Sequence, residues 1–337
     1  MYTRFVSALH KIVKSGSLAV HTRQLSTTAN KAREMEERKI KVNNMEINYA
    51  RVGTGDHPVL LLPGALELNT DTIDTYLLQY SARTCWQTAN TLLTFYSLGC
   101  RKFAVYQIKR DVSGSIWTDF KPQMENLNVD GLTIVAWDPP GYGKSRPPDR
   151  TFPDDFFQRD ATWAYNLMKT LGYSKFSLIG WSDGGITSLL LASAYPDSVY
   201  RMVVFGANAY IHPDETKIYE NIRDINKWSE KMRIPMIQIY GEDYFQKMWS
   251  DWIDAVLRLY EKQNGDLCKQ VLPKIKCPTL IIHGAKDAMV LPEHPTYLKQ
   301  NIANSKLHIF EKGAHNLHLR YSEEFNNLVT NFLIDRK

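Results

Sequence analysis

Ser177-Leu178-Ile179-Gly180-Trp181-Ser182-Asp183-Gly184-Gly185 is the stretch on which the reading of this chain turns. Its first half belongs to a short apolar run, Phe176 to Gly180, of the kind a sheet buries on both faces. The stretch that follows, Ile186 to Ala194, reads as a helix. Between the two the chain must turn sharply, and Gly180 and Gly184 give the turn its clearance. A serine at the tip of such a turn stands clear of the sheet beside a helix N-terminus. G-x-S-x-G alone says little; strand before and helix after are the context that makes Ser182 a candidate nucleophile.

The same rhythm runs outward in both directions. Ile40 to Val42 and Met45 to Tyr49 alternate around Asn43-Asn44 and predict a β-hairpin. Val59 to Leu62 is wholly apolar and ends in Pro63-Gly64, and similar runs recur at Leu132 to Trp137, Met202 to Phe205, Leu280 to Ile282 and Leu307 to Phe310. Helical patterns lie between them, at Asp160 to Leu171 and Phe325 to Phe332. Strands alternating with helices predict an α/β domain over residues 38–337, with a mostly parallel sheet and helices on both faces. Residues 209–272 break the rhythm, being rich in charge and aromatics such as Trp228, Trp249 and Trp252. They are expected to form a helical cap over the carboxyl edge of the sheet, where open α/β sheets bind ligands. The alternative is an ordinary helical excursion.

A serine hydroxyl is a weak nucleophile until a base takes its proton. In this strand–turn–helix architecture the acid and then the base follow the nucleophile along the chain. Asp287 lies just past the run Leu280-Ile281-Ile282 and supplies the acid; His315 follows the run Leu307 to Phe310 and supplies the base. His318 is the rival base and Asp214 the rival acid. The developing oxyanion needs donors, expected from the backbone N–H of Asp183 and from the loop near Ala65 or Leu66. Gly141-Tyr142-Gly143-Lys144-Ser145 contains G-K-S, but a phosphate-binding loop needs glycine at position 138, and Asp138 stands there. No H-E-x-x-H occurs, and the four cysteines form neither a C-x-x-C pair nor a zinc-type cluster. No metal and no cofactor is expected.

The chain has 337 residues, 44% apolar and 23% charged, the balance of a globular protein. Part of its net charge of +5 sits in the first 33 residues. These are basic and rich in Ser and Thr, and the first acidic residue is Glu34. Residues 1–37 are therefore expected to be a mitochondrial transit peptide or a disordered basic tail. No basic stripe with interleaved aromatics suggests nucleic acid, and no apolar run approaches the roughly 20 residues of a membrane span. A monomer is expected.

Four strings carry a resemblance to a known family: Gly180-Trp181-Ser182-Asp183-Gly184-Gly185-Ile186-Thr187, Trp137-Asp138-Pro139-Pro140-Gly141-Tyr142-Gly143, Gly206-Ala207-Asn208-Ala209-Tyr210 and His315-Asn316-Leu317-His318-Leu319-Arg320. They resemble the valacyclovir hydrolase, or biphenyl hydrolase-like, family of mitochondrial serine hydrolases with the α/β-hydrolase fold. The similarity covers about residues 39–66 and 113–334. It implies a small-molecule substrate, an ester of an α-amino acid with a free amino group. Asp183 suits that, because its carboxylate can pair with an ammonium. An acid in a first helical turn is also favoured by the helix dipole; the resemblance decides for the substrate.

The chain departs from the family pattern at about residues 67–112, where periodicity is lost beside the expected oxyanion loop. Retained intron sequence or a variant exon is the expected origin. Two other functions stay open: a carbon–carbon bond hydrolase of the meta-cleavage type on the same three residues, and a hydrolase fold impaired by the 67–112 insertion.

Overall fold

The computed structural model describes residues 34–65 and 115–334. The basic leader of residues 1–33, Leu66 and the segment 67–112 lie outside the described residues. The strands are β1 (Met35–Val42), β2 (Met45–Val52), β3 (His57–Leu62), β4 (Leu132–Trp137), β5 (Phe176–Trp181), β6 (Val199–Phe205), β7 (Thr279–Gly284) and β8 (Ser305–Phe310). They form one sheet in the order β1-β2-β4-β3-β5-β6-β7-β8. The hairpin β1–β2 is antiparallel and β2 joins β4 antiparallel; from β4 to β8 every neighbouring pair is parallel.

The hairpin forms where Asn43-Asn44 predicts it, with Val42 opposite Met45 and Asn43 at φ 49°. Asn enters that left-handed region at little cost because its short amide hydrogen-bonds locally. The first strand begins at Met35, three residues ahead of the expected domain start at 38. Sequence pattern missed this because Glu36 and Glu37 look like the end of a polar leader. In fact Glu37 is a tie: its carboxylate accepts from Asn48 Nδ2 at 2.9 Å, Trp117 Nε1 at 3.2 Å and Lys144 Nζ at 2.9 Å.

The helices are α1 (Ser115–Asp119), α2 (Lys121–Asn126), α3 (Phe156–Thr170), α4 (Asp183–Ala194), α5 (Pro213–Asn221), α6 (Glu230–Tyr240), α7 (Glu242–Gln263), α8 (Glu293–Asn301), α9 (Leu317–Arg320) and α10 (Ser322–Ile334). The alternation of side chains along the strands divides the apolar residues between two cores. Leu60, Leu62, Val135, Trp137, Leu178 and Val204 face α3 and α4. Their neighbours Leu61, Ile134, Ala136, Ile179 and Phe205 face α2 and α10 through Met124, Phe325 and Val329. Each such fully buried side chain contributes about 1.5–3 kcal/mol relative to an exposed one. A strand buried on both faces takes apolar residues at nearly every position, which is why β3, β4 and β5 read as nearly continuous apolar runs, with Thr133 and Ser177 the buried exceptions.

Strand β3 lies between β4 and β5, so the connections after it leave to opposite sides. A crevice opens at such a switch point, outside the carboxyl ends of the strands. Pro63-Gly64-Ala65 leave β3 there, and Trp181-Ser182 leave β5 beside them. Between β6 and β7 the chain forms α5, α6 and α7. The tryptophans of that region pack as a cluster: Trp249 stacks on Trp252, with centroids 4.9 Å apart, and meets Trp228 edge-on at 5.0 Å.

Candidate active site

Ser182 follows β5 and precedes α4 with φ 51° and ψ −121°. A non-glycine residue at positive φ costs of order 1–3 kcal/mol and persists only where its surroundings enforce it. Here they do. The Ser182 N–H donates to Phe205 O at 3.0 Å, and the Ser182 carbonyl accepts from Gly185 N and Ile186 N at 2.8 and 3.1 Å. The flanking glycines are needed for close approach rather than flexibility. A Cβ on Gly184 would stand 2.1 Å from Leu62 O, and one on Gly180 would stand 2.3 Å from Gly184 O. The end of β3 is thereby pressed against the start of α4.

His315 and Asp287 meet as the chain order predicts. His315 Nδ1 lies 2.8 Å from Asp287 Oδ2, and the Asp287 side chain is fully buried. Asp287 Oδ1 also accepts from Met289 N at 2.9 Å and Val290 N at 3.0 Å. Burial pushes this carboxyl up, but the His315 ring beside it, its hydrogen bond and the Val290 N–H outweigh that, and the group is held below its ordinary value. The carboxylate thus accepts from Nδ1–H, and Nε2 carries the imidazole lone pair. The loop of His315 is tied to the elbow, since Trp181 Nε1–H donates to His315 O at 3.0 Å. Gly206, at φ 53°, leaves room for the ring; a Cβ there would stand 3.0 Å from His315 Cε1.

The rivals are placed elsewhere. His318 is fully buried between Trp181, Phe205 and Phe325, and its Nε2–H donates to Asp119 O at 2.8 Å. Burial holds its pKa down at about 3, so it is a neutral core histidine. Asp214 is exposed at the start of α5 and pairs with Lys217. Asp138, in the G-K-S decoy, is fully buried and accepts from Asn48 Nδ2 and Lys144 N at 2.9 Å, a structural clasp. Among the described residues no group of acidic, His or Cys side chains could hold a metal, and no helix is long and apolar enough to cross a membrane.

Ser182, Asp183 and His315 line one pocket of about 370 Å³, part of it open to solvent. Its remaining wall is mostly apolar, with Phe157, Ile211 and Met289, and Trp252 closes it from α7. Asp183 is the first residue of α4, so its N–H is among the donors that a helix leaves without an internal acceptor. Ala65 is buried at the end of β3, where Gly64 runs so near the elbow that a Cβ would lie 3.2 Å from Ser182 Cβ. The other expected donor, Leu66, is outside the described residues.

Two neighbours of Asp183 were not foreseen from sequence. Trp252 Nε1–H donates to Asp183 Oδ2 at 2.7 Å. On another side a cavity of about 280 Å³ joins Asp183 to Arg150 and Asp160. Arg150 is fully buried, clasped by both Asp160 oxygens, and donates to Pro140 O at 3.0 Å. The surplus of Trp beyond residue 225 was the only hint in the sequence.

Comparison with known proteins shows the fold and the family. A family model of the alpha/beta hydrolase fold matches residues 112–228. Serine hydrolase BPHL of Mus musculus is 43% identical over 295 residues, which span 88% of this chain and 85% of that protein. Serine hydrolase BPHL of Homo sapiens is 39% identical over 330 residues, 98% of this chain and 97% of that protein. Among solved structures, a meta-cleavage product hydrolase from Pseudomonas fluorescens IP01 matches with a TM-score of 0.61 at 18% identity, over 89% of this chain and 98% of that one. That last likeness speaks for the fold alone, whereas the identity to the mammalian proteins runs along nearly the whole sequence. The chain belongs to the BPHL family of serine hydrolases, built on the α/β-hydrolase fold.

Proposed function

We propose that this serine hydrolase cleaves carboxylic esters of α-amino acids, with Ser182 as nucleophile, His315 as base and Asp287 as the acid that orients it. The observation that carries the reading is the carboxylate of Asp183 on the wall of the pocket that holds Ser182 and His315. A substrate ammonium paired with Asp183 sits one residue from the attacking oxygen, as the α-amino group of an amino acid ester sits one carbon from its carbonyl.

The chemistry then follows in two halves. His315 Nε2 takes the proton of the Ser182 hydroxyl as its oxygen attacks the ester carbonyl, and Asp287 stabilises the imidazolium that forms. The Asp183 N–H supplies one donor to the oxyanion, and the loop of Ala65 and Leu66 is the source of the second wherever the 67–112 segment leaves it in place. The tetrahedral adduct expels the alcohol, which receives the proton from His315 and leaves an acyl-enzyme. Water, deprotonated by His315, attacks the acyl carbon and releases the amino acid and free Ser182.

The meta-cleavage reading keeps the same three residues but leaves Asp183 without a task. A planar diketone has no ammonium for it, and an anionic substrate is repelled by it. A fluorophosphonate probe tests the nucleophile. Ser182 is expected to label in the intact chain and to lose labelling and esterase turnover in Ser182→Ala, with the thermal midpoint little changed. Labelling that survives in Ser182→Ala would assign the nucleophile elsewhere.

A further inference from the structure

We propose that Trp252 is a positioning residue for substrate selection: it fixes the Asp183 carboxylate for an α-ammonium while adding no positive charge to it. This rests on the reading of Asp183 given above and extends it to the cap.

The argument begins with the donor. Trp252 Nε1–H donates to Asp183 Oδ2 at 2.7 Å across the wall of the Ser182 pocket. A carboxylate in a partly open pocket rotates about its Cβ–Cγ bond unless a partner holds its plane, and a substrate must then bear the cost of stopping it. The indole is itself held. It is 5% exposed, stacked on Trp249 with an interplanar angle of 15°, and met edge-on by Tyr219 at 5.6 Å. Trp249 in turn donates to Ile222 O at 2.8 Å. The hydrogen bond therefore comes from a donor that cannot swing away.

The kind of donor matters as much as its rigidity. Arginine or lysine at this place would orient Asp183 equally well and would neutralise it. Indole N–H is uncharged and only donates, so it orients the carboxylate without bringing a positive charge of its own. The cation that shares a cavity with Asp183, Arg150, is clasped by both oxygens of Asp160 and donates to Pro140 O. Arg150 still acts on Asp183 through its charge across that cavity, while Trp252 supplies orientation and no charge.

The inference makes cap and elbow one recognition unit: α7 supplies the donor and α4 the charge. The test is a ratio of kcat/KM values for two esters of one shape. One is a valine ester; the other is the ester of 2-hydroxy-3-methylbutanoic acid, in which hydroxyl replaces ammonium. Trp252→Phe keeps the ring and its stacking and deletes the N–H. It is expected to lower the valine-to-hydroxy ratio about tenfold, chiefly through a raised KM for the valine ester. Trp228→Phe deletes another cap hydrogen bond, the indole N–H to Ile222 O at 2.9 Å, which does not reach Asp183, and should keep the wild-type ratio. A Trp252→Phe enzyme with the wild-type ratio, or one that loses both esters in proportion, overturns the inference about Trp252 while Asp183→Asn still abolishes the preference. A wild-type enzyme that prefers neither ester overturns the reading of Asp183 itself, and Trp252 with it.

Discussion

Ser182 and His318 show how differently two side chains near one elbow are used. Ser182 is held at positive φ by hydrogen bonds from both sides, which turns local strain into exposure of the residue that follows β5. His318, three residues from His315, lies in the apolar core beneath it. Its low pKa has a consequence for stability. The unfolded chain protonates this histidine near 6.5, whereas the folded chain resists until about 3. As pH falls between those values the unfolded state holds a proton that the native state lacks. Stability is therefore full above about 6.5 and falls by up to about 1.4 kcal/mol per pH unit below it. His318→Gln keeps an N–H donor for Asp119 O and removes the titration. In urea unfolding, wild type is expected to lose about 2 kcal/mol more than this variant between pH 6.5 and 4.5. Equal losses would remove His318 from the account of acid sensitivity.

The elbow works because two elements touch through glycine. Gly184 on α4 lies against Leu62 O at the end of β3, with no space for a methyl group. Gly184→Ala is expected to cost about 3 kcal/mol, read as a lowered thermal midpoint, together with lost turnover as the β3 loop shifts from the serine. A midpoint within a degree of wild type would contradict the packing argument. Much of this layer was legible in the sequence. Leu132 to Trp137 is β4 to the residue, because a strand covered on both faces has a nearly continuous apolar signature, here interrupted by Thr133 alone. The placement of Ser182 at the turn and of Asp287 beside His315 was legible because each residue follows such a run. The Trp252–Asp183 bond was not, since it joins residues 69 apart through the folding of the cap and no local pattern encodes it. The start of β1 was hidden as well, because two of the three partners that hold Glu37, Trp117 and Lys144, come from distant segments.

For the molecule as a whole, the sheet provides one crevice where the ends of β3 and β5 and the cap helix α7 converge, and the proposed chemistry is assembled there. The segment of about residues 67–112 enters the chain just after Ala65 and Leu66, the expected second source of oxyanion donors. A chain lacking that segment is expected to turn over about 100-fold faster, the scale of one oxyanion donor regained. Unchanged kcat would show that the segment does not impair the oxyanion site. The central claim is that Ser182 acts and Asp183 chooses. It is tested most directly by kcat/KM for the valine ester against its hydroxy isostere, in wild type and in Asp183→Asn. The account predicts a preference of at least tenfold for the valine ester in wild type and none in the variant; a preference that survives in Asp183→Asn would contradict it.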